Sequence, residues 1–71
     1  MVLLYEQEGT IIKLKAGTGD IILENANKVG NMVYGDLNGA YIQVCLTPEP
    51  DGFFYGIWND GSRLQIIGTE V

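Results

Sequence analysis

The sequence predicts a single all-β domain, a small barrel or compact sandwich of about six to seven short antiparallel strands. Two observations predict this class. The apolar residues come in short runs, and Gly, Asn, Asp and Pro separate the runs, as is typical of strands joined by tight turns. No stretch keeps the i, i+3, i+4, i+7 spacing of an amphipathic helix over three turns. The 71 residues are enough for one domain, residues 1–71.

The strands are placed by the positions of the turn residues. They are predicted at 2–6, 10–15, 21–24, 32–35, 40–46, 53–58 and 63–68. Residues 24–31 are the least strand-like stretch, and we expect a loop or a single helical turn there. Asn38-Gly39 supplies the positive φ angles of a hairpin turn between 32–35 and 40–46. The two prolines of 47–52 exclude a central strand and predict a loop.

Alternation within the strands predicts which residues enter the core. In the second strand Ile12 and Leu14 share one face, while Lys13 and Lys15 share the other. The lysine face is predicted to be in solvent, with Ile11 on it. In 40–46 the alternation separates two sets of side chains. One set is Ile42, Val44 and Leu46, and the other is Tyr41, Gln43 and Cys45.

The composition predicts self-association. A domain of this size buries only about 60% of its unfolded surface, so small domains usually need a disulfide, a metal or a partner subunit. The chain has one cysteine, Cys45, and no histidine, which excludes an internal disulfide and a usual structural zinc site. Hydrophobic residues make up 46% and charged residues 18%. We therefore expect a homo-oligomer, the alternative being a monomer covered by Gly, Asn, Thr and Ser.

The charge limits the partners and the compartment. The net charge is −5, and the basic residues are not clustered beyond Lys13 and Lys15. This argues against nucleic acid and anionic membranes, and it leaves a protein partner or a small neutral ligand. The apolar start of the chain is too short for a signal peptide, and a lone cysteine fits a reducing compartment. We expect a cytoplasmic protein.

The aromatic hairpin at 53–63 is the strongest candidate for a binding surface. Alternation puts Phe54 and Trp58 on one face of the strand, with Gly56 between them. If that face is exposed, the aromatic pair around the bare glycine could stack on a sugar, a base or a partner's side chain. The alternative is that both faces are buried, one in the core and one in a subunit interface. The predicted binding residues are Phe54, Tyr55, Trp58, Asn59 and Arg63.

Other motifs give no catalytic, metal or cofactor site. Asp36-Leu37-Asn38-Gly39 begins like a calcium loop but lacks the later ligands. Gly17-Thr18-Gly19 lacks the lysine and serine of a phosphate-binding loop. Cys45 has no histidine to activate it, and the spacing of the carboxylates selects no acid–base pair. An enzyme active site within one chain is therefore not predicted.

Three functions remain open at the level of sequence. The first is a small interaction or binding module that uses the 53–63 hairpin with the loops at 35–39 and 47–52. An accessory or inhibitory role, such as one encoded by a phage or mobile element, fits a compact acidic domain. The second is an oligomeric enzyme or ligand-binding ring, in which Tyr41, Gln43 and Tyr55 would position a substrate at a shared site. The third is a structural component of a larger assembly.

Overall fold

The computed structural model describes residues 2–69. They form one seven-stranded antiparallel sheet in which each strand pairs only with its neighbours along the chain. The strands are β1 (Tyr5–Glu8), β2 (Ile11–Leu14), β3 (Ile21–Val29), β4 (Met32–Leu37), β5 (Ala40–Cys45), β6 (Phe54–Trp58) and β7 (Arg63–Ile66). The sheet curls into a half-barrel, which confirms the predicted all-β class and strand number. No helix long and apolar enough to cross a bilayer occurs in this part of the chain.

The turns explain why the strands end where they do. β4 and β5 are joined by Asn38 and Gly39, with φ of 53° and 84°. Both angles lie in the left-handed region, as a two-residue turn of the type I′ class requires. β6 and β7 are joined by a longer turn in which Trp58 N–H donates to Ser62 O and Gly61 N–H donates to Trp58 O. Gly61 has φ of 92°, so this is the three-residue hairpin turn with glycine at its last position.

β3 differs from the prediction. Residues 24–31 were expected to be a loop or helical turn, but the strand continues to Val29. Its pairing with β4 is interrupted by a bulge between Glu24 and Asn27, where Asn25 has φ of 50°. A bulge bends a strand and adds twist, so β3 pairs first with β2 and then, after the bend, with β4. Asn25 is accommodated by this bulge, and Asn27 pairs with Tyr34 beyond it.

The core follows the alternation that the sequence predicts. Ile12 and Leu14 are fully buried and Ile11 is exposed, while Lys13 of β2 and Lys15 just after it lie on the outer face. The ten buried apolar side chains form one cluster, and burial of each stabilises the fold by roughly 1.5–3 kcal/mol. They are Leu3, Ile12, Leu14, Leu23, Val33, Ile42, Val44, Leu46, Phe54 and Ile66.

Two contacts between distant parts of the chain close one end of the half-barrel. Leu3 N–H donates to Leu46 O at 2.9 Å. Ala16 forms an isolated antiparallel bridge with Gly68. A Cβ at Gly68 would overlap the Phe54 ring and touch Leu3, so only glycine allows this closure. β1 and β7 remain the two outer strands, and no Cα of one lies within 8 Å of a Cα of the other.

Candidate binding site

β6 does not expose Phe54 and Trp58 as a pair, which was one of the two alternatives for this hairpin. Phe54 is fully buried and Gly56 is buried beside it, while Trp58 is half-buried at the rim. A Cβ on Gly56 would lie 2.6 Å from Ile42 Cδ1. The space that the glycine leaves is therefore filled by Ile42 from β5, and no open gap remains between Phe54 and Trp58. The outer face of β6 carries Tyr55 and Ile57 instead, and Phe53 directly precedes the strand.

A cleft opens at the end of the half-barrel where Trp58 emerges from the core. Its volume is about 480 Å³, within the range of small-molecule sites. The aromatic walls are Trp58 and Tyr41, and the polar groups come from the turns. The lining residues are Leu37, Asn38, Ala40, Tyr41, Trp58, Asn59, Asp60 and Ser62.

Two adjacent hairpin turns build this cleft. Ile42 pairs with Trp58 across β5 and β6, and beyond that pair Asn59 N–H donates to Tyr41 O at 3.2 Å. The β4–β5 turn and the β6–β7 turn therefore lie at the same end of the sheet. The structure thus brings the predicted loop at 35–39 beside the predicted residues Trp58 and Asn59.

Asp60 gives the rim of the cleft a fixed negative charge. Its Oδ1 accepts hydrogen bonds from Ser62 Oγ at 2.6 Å and from Ser62 N–H at 2.9 Å. These two bonds lower the pKa of Asp60 below that of a free aspartate, because hydrogen bonding to a carboxylate favours its ionised form. The carboxylate mainly stabilises the turn, because its Oδ1 already accepts both hydrogen bonds from Ser62.

A second, smaller cleft lies on the outer face of the sheet next to the first. Its volume is about 370 Å³, and it shares Tyr41, Trp58 and Asn59 with the first cleft. Its other lining residues are Gln43, Ile57 and Gly61. The Tyr41 ring also stacks on Tyr34, with ring centres 6.4 Å apart. The shared wall of Tyr41, Trp58 and Asn59 is therefore accessible from two sides. We call the two clefts together the Trp58 cleft.

The other two predicted binding residues, Tyr55 and Arg63, lie outside this cleft. The Arg63 guanidinium stacks over the Tyr55 ring, 4.1 Å from its centre, and its Nη2 lies 3.7 Å from Glu49 Oε1. The Tyr55 hydroxyl donates to Asp51 Oδ2 at 2.7 Å. These contacts tie the 47–52 loop to β6 and β7, so Tyr55 and Arg63 hold a loop in place.

The contacts of the 47–52 loop also shift the pKa values of Asp51 and Tyr55. Phe53 N–H donates to Asp51 Oδ1 at 2.9 Å. This bond, then the Tyr55 hydroxyl, lowers the pKa of Asp51. The same hydroxyl–carboxylate bond raises the pKa of Tyr55, because deprotonation of the phenol would lose the bond and place two negative charges together.

The remaining motifs are part of the framework. Gly17 N–H donates to Ile67 O and Gly19 N–H to Ala16 O, so the glycine-rich turn contributes to the closure of the sheet. Cys45 Sγ lies 3.1 Å from Thr47 Oγ1. Within residues 2–69, no three Asp, Glu, Cys or His side chains are grouped closely enough to hold a metal ion.

Comparison with known proteins adds no relative. No protein-family model, no curated protein and no solved structure matches the chain. The function has to be argued from the geometry alone.

The sequence named Trp58 and Asn59 individually, and it assigned the 35–39 loop and the 53–63 hairpin to one surface. Leu37, Asp60 and Ser62 lie within those ranges but were not named individually as lining residues, and Ala40 lies outside the ranges. The signal that could have found them is topological, because in a meander every second hairpin turn lies at the same end of the sheet. The turns at Asn38-Gly39 and Asn59-Asp60-Gly61 are two turns apart in this order, so they lie at the same end.

Proposed function

We propose that the protein is a small binding module and that the Trp58 cleft is its working surface. The observation that carries this proposal is the pairing of an exposed tyrosine with a half-buried tryptophan at a concave site. Aromatic walls with a few polar groups from turns are typical of ligand sites. Asn38, Asn59 and Ser62 offer amide and hydroxyl groups at the rim.

The cleft favours an uncharged ligand with a flat apolar face. Its walls are mostly apolar, and the single charged lining residue, Asp60, is already bonded to Ser62. A sugar ring, a nucleobase or a neutral side chain of a partner has such a face, and stacking on an aromatic ring contributes beyond its buried area. A small neutral ligand is the occupant that we propose.

Trp58 is the only tryptophan in the chain, so its fluorescence reports on the cleft directly. We expect uncharged sugars and nucleosides, added one at a time, to include a probe that changes the Trp58 emission in a saturable way. Tyr41→Ala should weaken the binding of that probe at least about tenfold, which is equivalent to about 1.4 kcal/mol of binding free energy. Tyr5→Ala is the matched control, because Tyr5 is also an exposed tyrosine but lies on β1.

Two outcomes would refute the proposal. One is that no uncharged probe perturbs Trp58 at millimolar concentration. The other is that Tyr41→Ala and Tyr5→Ala bind the probe equally well. Trp58→Ala is an additional variant, to be interpreted only where its thermal unfolding shows a folded protein, because Trp58 also packs against the core.

A shared site between subunits is the second candidate function. Large apolar side chains are exposed on the outer face, including Ile22 at 48% and Ile57 at 38%. Exposed apolar surface marks interfaces between proteins, and a homo-oligomer would cover it. Sedimentation velocity decides this point, because a monomer at working concentration excludes a ring with shared sites.

A further inference from the structure

The backbone of β1 has a free edge, and its hydrogen-bond pattern shows which groups are free. Lys15 N–H donates to Leu4 O at 2.9 Å, so Leu4 and Lys15 form a hydrogen-bonded pair. Such pairs alternate with non-bonded pairs along an antiparallel ladder. Tyr5 and Gln7 therefore direct their N–H and C=O groups away from β2, toward the outside of the sheet.

An independent contact supports this assignment. Leu3 has the same parity as Tyr5 and Gln7, and its N–H bonds to Leu46 O on the side opposite to β2. Beyond Leu3, that side has no strand within the described residues, and no backbone hydrogen bond reaches Tyr5 or Gln7 from it. All four residues of β1 are exposed. The edge is therefore open to a further strand.

The side chains of β1 give this edge a chemical preference. Glu6 pairs with Lys13 of β2 and Glu8 with Ile11, so both carboxylates lie on the outer face. Glu6 Oε1 lies 3.6 Å from Lys15 Nζ. Glu8 has no ion-pair partner within residues 2–69. A strand added at this edge would place its own outer residues beside the two carboxylates, where opposite charges stabilise a cross-strand pair.

The inner face of the same edge has the opposite character. Tyr5 pairs with Leu14, which is a core residue, so the Tyr5 ring lies on the inner side. Lys28 Nζ lies 5.5 Å from the centre of that ring. A second cation on this side would meet Lys28, whereas an apolar side chain could pack on Tyr5. The edge therefore fits a strand that alternates basic and apolar residues.

Pairing with a second copy of the chain is disfavoured at this edge. The twofold antiparallel register that uses Tyr5 and Gln7 of both copies places Glu6 directly opposite Glu6. Like charges in that position destabilise a strand pair, and charged residues are a known protection of edges against self-pairing. The same carboxylates that block a second copy attract a basic strand.

β7, the other outer strand, is a poorer docking edge. Ile67 O, on its free side, already accepts the bond from Gly17. The charge of Arg63 is engaged by Glu49. What remains free on that side is short and carries no unneutralised charge.

We propose that the β1 edge binds an extended protein segment with alternating basic and apolar residues, which adds as a strand beside Tyr5 and Gln7. Main-chain hydrogen bonds give such complexes their affinity, and the alternate side chains give specificity. This surface is separate from the Trp58 cleft, and it provides the acidic protein with a basic protein partner.

The test uses two peptides and two matched variants. The peptides are acetylated and amidated hexapeptides of alternating Lys-Val and alternating Glu-Val, titrated into ¹⁵N-labelled protein. Gln7→Pro removes an N–H that faces outward, which an edge strand tolerates. Gln65→Pro is the control, because the Trp58–Ser62 pairing places the Gln65 N–H on the outer side of β7 in the same way.

We expect the Lys-Val peptide to shift the amide signals of Tyr5 and Gln7, and to bind more weakly as salt is raised. Gln7→Pro should reduce its affinity at least about tenfold, and Gln65→Pro should leave it unchanged. The Glu-Val peptide should not bind.

Three results would overturn the proposal. They are equal binding by both proline variants, equal binding of both peptides, and a shift map centred on Trp58 instead of β1. If Gln7→Pro fails to fold, the double variant Glu6→Gln with Glu8→Gln replaces it. An unchanged affinity of that variant for the Lys-Val peptide would also overturn the proposal. A dimer of the free protein that Gln7→Pro dissociates would assign the edge to a second copy.

Discussion

A methyl group added at Gly56 tests whether Ile42 fills the gap in the aromatic strand. The Cβ of Gly56→Ala would lie 2.6 Å from Ile42 Cδ1, and the next atoms, Ile42 Cγ1 and Val44 Cγ2, are at 3.3 Å. Overpacking of this kind costs about 1–3 kcal/mol. Alanine recovers roughly 0.5–1 kcal/mol over glycine in a strand, so we expect a net loss of about 1 kcal/mol.

The companion change removes the clashing atom. Ile42→Val deletes Cδ1 and by itself should cost about 0.5–1.5 kcal/mol. In the Ile42→Val background, Gly56→Ala should be neutral to within about 0.5 kcal/mol, because only the 3.3 Å contacts remain. The double variant should therefore lose less unfolding free energy than the two single variants lose together, by roughly 0.5–1.5 kcal/mol.

Urea unfolding of the four proteins, followed by Trp58 fluorescence and circular dichroism, gives this coupling energy. Equal slopes would show that the change lies in the folded state. Additivity of the two substitutions would refute the packing argument, and so would a stabilised Gly56→Ala variant. Either result would mean that the space beside Gly56 is open after all.

Two further predictions concern the ends of the core and the loop. Leu3→Ala should lower the free energy of unfolding by about 2–5 kcal/mol in urea titrations. Leu4→Ala, at the exposed neighbouring residue, should change it by no more than about 0.5 kcal/mol. Similar losses in the two variants would contradict the burial of Leu3. Asp51→Asn should lower the melting temperature at pH 7, and the difference should shrink as the pH falls through the folded pKa of Asp51. The pKa of Asp51 is depressed in the folded state, so its stabilising effect is present above the ordinary value of an aspartate and is lost as the pH falls through the folded value. A melting difference that stays constant as the pH is lowered from 7 would refute the role of the carboxylate.

The fold class was predictable because alternation and turn chemistry are local. Ile12 and Leu14 could be assigned to the core from their spacing alone, and Asn38-Gly39 could be assigned to a hairpin turn. β3 was not predictable, since its asparagines resemble a loop. Its strand conformation depends on pairing with β4 across a bulge at Asn25, and a bulge is defined by the partner strand as much as by its own residues.

The site was harder to predict than the fold. β6 carries aromatic residues on both faces, so alternation divides them into two sets without showing which set enters the core. That choice depends on Ile42, which occupies the space next to Gly56 from another strand. Trp58 could be named from its residue type, but its partner wall, Tyr41, comes from the register of β5 against β6.

The order of the strands has a consequence for how the chain folds. Because every strand pairs with its neighbour in sequence, each hairpin can form with little loss of loop entropy, and a topology of local contacts is associated with fast folding. The closing contacts, Leu3 with Leu46 and Ala16 with Gly68, join segments far apart in the chain. We expect the meander to assemble as a zipper of hairpins, with the closed end of the half-barrel forming last and unfolding first.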